Sequence, residues 1–91
     1  MNVTEYECLK SELERELIER FGPMIMGKDL ATWLGYPSMP AFRQALSRKI
    51  VPVATFRIEN RKGYFAMVTD VAVWLANQRY PQEMGSTKNE T

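Results

Sequence analysis

Apolar residues recur at steps of three and four through the start of the chain, where Val3, Tyr6, Leu9, Leu13, Leu17 and Phe21 draw a single stripe. That period predicts an amphipathic helix over 3–20. No Gly or Pro interrupts it, and Leu, Glu, Lys and Arg dominate. Glu12, Glu16 and Glu19 face away from the stripe, and Glu16 with Arg20 makes a favourable i,i+4 pair. Gly22-Pro23 ends the helix, since Gly supplies a left-handed cap and Pro cannot continue it. The stripe suits two uses. It can pack on the domain's own core, or Tyr6, Leu9, Leu13 and Leu17 can form a homodimer seam, although fewer than three heptads is short for a self-sufficient coiled coil.

Met24-Ile25-Met26 reads as a short apolar lead-in, followed by a helix over 28–34 with Leu30, Trp33 and Leu34 on one side and Asp29 near its positive end. Gly35 stops that helix, Tyr36-Pro37-Ser38 makes the turn, and Ser38 caps a further helix over 39–49 with Pro40 in its first turn. At 100° per residue, Phe42, Ala45, Leu46 and Ile50 fall on the core side. Lys49 also falls there, where its charge suits the helix C-terminus. The opposite side, centred on Gln44 and flanked by Pro40, Arg43, Ser47 and Arg48, carries no acid.

After Pro52 the pattern shifts to β-formers. Val53 to Glu59 and Tyr64 to Val68 predict a hairpin around a type I turn at Asn60-Arg61-Lys62-Gly63. Adjacent cations at a protruding tip repel one another, a cost that a phosphate backbone or a minor groove relieves. A charged edge that discourages sheet aggregation is the plainer explanation. Thr69 is expected to cap a last helix with Asp70 at its first position, and Val71, Trp74 and Leu75 turn inward. Val73, Ala72 and Ala76 make that helix apolar on most sides, so it needs a second neighbour, either the first helix or another subunit. Beyond Pro81 the polar QEMGSTKNET predicts a disordered tail. The resulting plan is an N-terminal helix (1–22), a helix-turn-helix with a hairpin wing (23–80) and a tail (81–91).

Composition bounds this picture. Ninety-one residues with 45% hydrophobic content make one small, mainly α domain with a modest core. The formal charge of +1 hides an asymmetry. Residues 1–20 hold six acids (Glu5, Glu7, Glu12, Glu14, Glu16, Glu19) against Lys10, Arg15 and Arg20, a net of −3. Residues 21–80 hold eight bases against Asp29, Glu59 and Asp70, a net of +5. A basic body behind an acidic helix is compatible with nucleic-acid binding. There is no histidine and a single cysteine, Cys8, among glutamates that disfavour its thiolate. Zinc-finger sites and Cys-His or Ser-His-Asp machinery are therefore ruled out, and no phosphate-cradling glycine motif occurs. The carboxylate pairs Glu5–Glu12 and Glu12–Glu16 lie on a solvated helix. The expectation is a non-enzyme without metal or cofactor. With no disulfide, no leader pattern and no long apolar run, the location expected is cytoplasmic and away from membranes.

The segment from Ile25 to Gln78 resembles the small winged-helix DNA-binding domains of the MerR-like, phage excisionase and pyocin-activator type. The matching letters are Leu30-Ala31, Leu34-Gly35, Val51-Pro52, Arg57 to Lys62, and Asp70-Val71 with Trp74-Leu75. The resemblance implies a small transcriptional regulator or excisionase-type factor of a phage, plasmid or integrated element that binds double-stranded DNA. Carried over by position, the recognition face is Ser38, Arg43, Gln44, Ser47 and Arg48, and the wing is Arg57, Asn60, Arg61 and Lys62. Arg suits guanine, Gln suits adenine, and Ser suits either bases or phosphates. The alternative is a protein-interaction module that uses the same scaffold against a host protein, motivated by the near-zero net charge and by Met39, Val73 and Tyr80 as exposed-looking apolar residues.

Overall fold

The computed structural model describes residues 2–81, with side chains from residue 5 onward. Helix α1 (Asn2–Phe21) leads into strand β1 (Met24–Met26), helix α2 (Gly27–Trp33) and helix α3 (Met39–Arg48). Strand β2 (Phe65–Met67) and helix α4 (Val68–Arg79) follow. The expected tail falls, apart from Pro81, outside the described residues, as do the side chains at Met1 to Thr4.

The stripe on α1 is used within the chain. Leu17 is completely buried, Leu13 and Phe21 pack on the same core, and α1 lies along α4. The neighbour that the apolar α4 requires is therefore α1. Val68, Val71, Ala72 and Ala76 of α4 have no exposed surface, and the small alanines let the helices approach closely. Phe21 meets Trp33 edge to face at 6.3 Å, tying the end of α1 to α2.

The residues 24–26 are a strand rather than a lead-in. Met24 pairs with Met67, Ile25 with Ala66 and Met26 with Phe65 in an antiparallel register. Ile25 and Ala66 share the buried face; on the other, Met26 and Met67 are exposed while Phe65 is covered, at 7% exposure. The expected local hairpin is reduced accordingly. Val53–Glu59 forms no strand; Phe56 alone bridges to Phe65, by backbone bonds of 2.9 and 2.8 Å. Val68 already begins α4, so a strand at 53–59 has no partner beyond Met67. The tip also shifts: Arg61 N–H donates to Ile58 C=O at 3.0 Å, and Asn60 takes φ 65° as the third residue of that turn. Asn tolerates that conformation well.

Helix ends follow local chemistry, with two corrections. Gly35 (φ 89°) closes α2, donating to Thr32 C=O while Tyr36 donates to Ala31 C=O, a Schellman arrangement. Ser38 Oγ accepts from Ala41 N–H at 3.2 Å, capping α3 as expected. The first correction concerns the end of α3. It stops at Arg48, and Lys49 adopts φ 60°, with Lys49 and Ile50 donating to Leu46 and Ala45 C=O. The chain leaves the helical path there, so Ile50 is 61% exposed instead of facing the core, and Lys49 is exposed too. The second concerns α4, which starts at Val68 with Met67 as an N-cap that makes no side-chain bond. Thr69 therefore lies inside the first turn rather than capping it.

Candidate nucleic-acid interface

Phe42 (2% exposed) and Ala45 anchor α3 from below, and Phe42 packs on Tyr36 with ring centroids 5.4 Å apart. Ser38, Arg43, Gln44, Ser47 and Arg48 are all exposed. Arg43, Gln44, Ser47 and Arg48 share the outer side of α3, and Ser38 stands at its N-cap. Arg57, Asn60, Arg61 and Lys62 are exposed as well, on the loop that Phe56 and Phe65 close.

The ion pairs of the described residues are Glu7–Lys10 at 3.4 Å and Glu16–Arg20 at 2.9 Å, both on α1. Arg43, Arg48, Arg61 and Lys62 belong to neither pair. Their field is directed at solvent, where an anion's phosphates would meet it without first breaking internal bridges.

Between α3 and the loop runs a groove of about 580 Å³. Met39, Phe42, Leu46 and Tyr64 supply apolar lining, while Arg43 and Arg57 place cations in it, with no acid among the lining residues. The Arg57 guanidinium carbon lies 5.3 Å from the Tyr64 ring centroid. Tyr64 is a functional candidate that the sequence reading passed over. The sequence carried no signal for it: a turn at Asn60–Gly63 sets Glu59 opposite Tyr64, and the observed Phe56–Phe65 bridge instead sets Arg57 there.

Of the stripe residues Tyr6, Leu9, Leu13 and Leu17, the last two belong to the core, and Tyr6 and Leu9 are half-buried. Lys10 Nζ lies 5.8 Å from the Tyr6 ring centroid. Met39, Val73 and Tyr80, expected as exposed apolar residues, are half-buried; among the described residues the large apolar side chains that are exposed are Ile18, Met26, Ile50, Tyr64 and Met67. Among the described residues no group of three or more His, Cys, Asp or Glu is placed to hold a metal ion, and no helix is long and apolar enough to cross a membrane. Compared with models of protein families, with curated proteins and with solved structures, the chain matches none.

Proposed function

We propose that this chain is a non-catalytic, sequence-specific double-stranded DNA-binding protein, a small transcriptional regulator or excisionase-type factor of a mobile element, acting as a winged helix-turn-helix. The observation that carries the reading is the acid-free face of α3 (Ser38, Arg43, Gln44, Ser47, Arg48) beside an exposed loop bearing Arg57, Asn60, Arg61 and Lys62. A helix of ten residues is about 15 Å long and fits the major groove. In this reading Arg43, Gln44 and Arg48 meet base edges, and Arg61 and Lys62 meet the backbone or the minor groove. The acidic α1, packed on α4, is turned away from the duplex.

Fluorescence anisotropy with duplex DNA of random sequence, at low and then moderate salt, tests this. Each phosphate contacted steepens the fall of log affinity with log salt by about 0.9. Micromolar binding with a steep salt slope is the expected result; no binding at low salt would overturn the reading.

A second reading, a module that docks on a host protein, is favoured by Ile50 at 61% exposure next to a cleft lined by Leu46, Val51, Val53 and Tyr64. An interface of that kind responds weakly to salt. A homodimer would be left with Tyr6 and Leu9 as its seam, since Leu13 and Leu17 are already occupied.

A further inference from the structure

The groove between α3 and the basic loop has a chemistry that a regular duplex does not match. Its cations, Arg43 and Arg57, attract phosphates, yet Met39, Leu46 and the 37%-exposed Tyr64 offer apolar surface above the buried Phe42. A phosphate set against apolar side chains loses hydration and gains no partner. A paired base shows a groove only its edge, which leaves an aromatic ring unused. A nucleotide turned out of the stack offers a flat face to the ring and a flanking phosphate to Arg57. The absence of any acid among the lining residues removes the repulsion such a unit would otherwise meet. At about 580 Å³ the groove lies within the usual range for small-molecule sites.

We infer that this groove is a binding site for a single unpaired nucleotide of a bound DNA strand, with Tyr64 as the stacking platform and Arg57, whose guanidinium carbon rests 5.3 Å from the Tyr64 ring centroid, turning from the ring to a flanking phosphate. The inference rests on the DNA-binding reading above. The protein then prefers duplexes that carry an unpaired or easily extruded nucleotide to those that are fully paired.

The test uses the full chain and two end-labelled duplexes of one sequence, one fully paired and one with a single unpaired fluorescent adenine analogue. Tighter binding of the second by about tenfold is expected, since stacking on an aromatic side chain contributes on that scale. The analogue's emission should change on binding when it is unpaired, and stay unchanged when the same analogue is paired. Tyr64→Ala should remove the preference and Tyr64→Phe should keep it. If Tyr64→Ala does not fold, the emission of the analogue with the unaltered protein decides the matter. Equal affinity for the two duplexes, or a preference that survives Tyr64→Ala, overturns this site while leaving DNA binding in place. No binding of either duplex at low salt overturns the DNA-binding reading, and the inference with it.

Discussion

Phe56 and Phe65 exchange both backbone hydrogen bonds, at 2.9 and 2.8 Å, and stack their rings with centroids 6.2 Å apart. Phe65 also pairs through β2 with Met26, so this one residue joins the basic loop to the core sheet. The eight residues from Arg57 to Tyr64 hang from that single bridge. Phe56→Ala is expected to cost about 1–3 kcal/mol, less than the roughly 3–5 kcal/mol of a fully buried aromatic. The loop should loosen before α3 does. Amide hydrogen exchange reads this directly: the Phe65 N–H loses its protection while amides within α3 keep theirs. A Phe65 amide as protected as those of α3 in the variant would show that other contacts hold the loop.

Arg43 and Arg48 should separate from Arg61 and Lys62 by the kind of binding each supports. The double variant Arg43→Ala, Arg48→Ala is expected to abolish preference for a selected site and leave the unfolding temperature nearly unchanged, because both side chains are exposed. Arg61→Ala with Lys62→Ala should weaken binding to all sequences and reduce the salt slope by about 2. Titrations of the selected site and of random duplex, each at several salt concentrations, distinguish the two. A folded Arg43/Arg48 variant that bound its site normally would refute the recognition-helix assignment.

The legible and illegible parts of this fold divide by sequence distance. Helices α1, α2 and α3 announced themselves through period, Gly stops and the Ser38 cap, all of them signals within a few residues. The β1–β2 pairing joins residues some forty positions apart through three residues each, too short for alternation to show. Val53–Glu59 had the composition of a strand but lost its partner when α4 began at Val68. Ile50 was misplaced because the helical period was extended one step past Lys49, where the backbone turns left-handed. The α3 face was readable since it depends only on helix geometry. The groove beside it was not, because it requires knowing how far the loop folds back.

Leu17 and Ile18 are neighbours with opposite fates, at 0% and 49% exposure. Leu17→Ala should cost about 2–5 kcal/mol through lost burial and the cavity left against α4. Ile18→Ala should stay near the ordinary range for surface positions, about 0.5 kcal/mol. Because the stripe packs within the chain, the Leu17→Ala loss should not depend on protein concentration. Thermal unfolding at two concentrations checks both points. A concentration-dependent loss would return the stripe to a dimer seam.

Lys49 and Gly35 both end helices in the left-handed region, at φ 60° and 89°. An L side chain there costs roughly 1–2 kcal/mol, which the chain bears at Lys49. Lys49→Gly should therefore stabilise the domain by up to about 1 kcal/mol, once the larger entropy of an unfolded glycine is set against the relief. Gly35→Ala should destabilise by about 1 kcal/mol or more. No atom lies within 4 Å of the added Cβ, so that cost is backbone strain and not a clash. Denaturant melts of the two variants should move in opposite directions.

Ser38 serves two purposes that substitution can pull apart. Its hydroxyl caps α3 through Ala41 N–H, and it lies at the end of the exposed face proposed to meet DNA. Ser38→Ala removes the cap and should cost about 0.5–2 kcal/mol. Ser38→Asp keeps a cap acceptor and adds a charge that favours the helix N-terminus, so stability should hold or rise. In the proposed docking the same carboxylate would face the phosphates of a bound duplex. Ser38→Asp should therefore fold as well as the original chain and bind DNA several-fold more weakly, most clearly at low salt where repulsion is least screened. Unfolding melts paired with anisotropy at low salt give the answer. Unchanged affinity in a stable Ser38→Asp variant would place the N-terminus of α3 away from the DNA backbone and require a different docking angle for the helix.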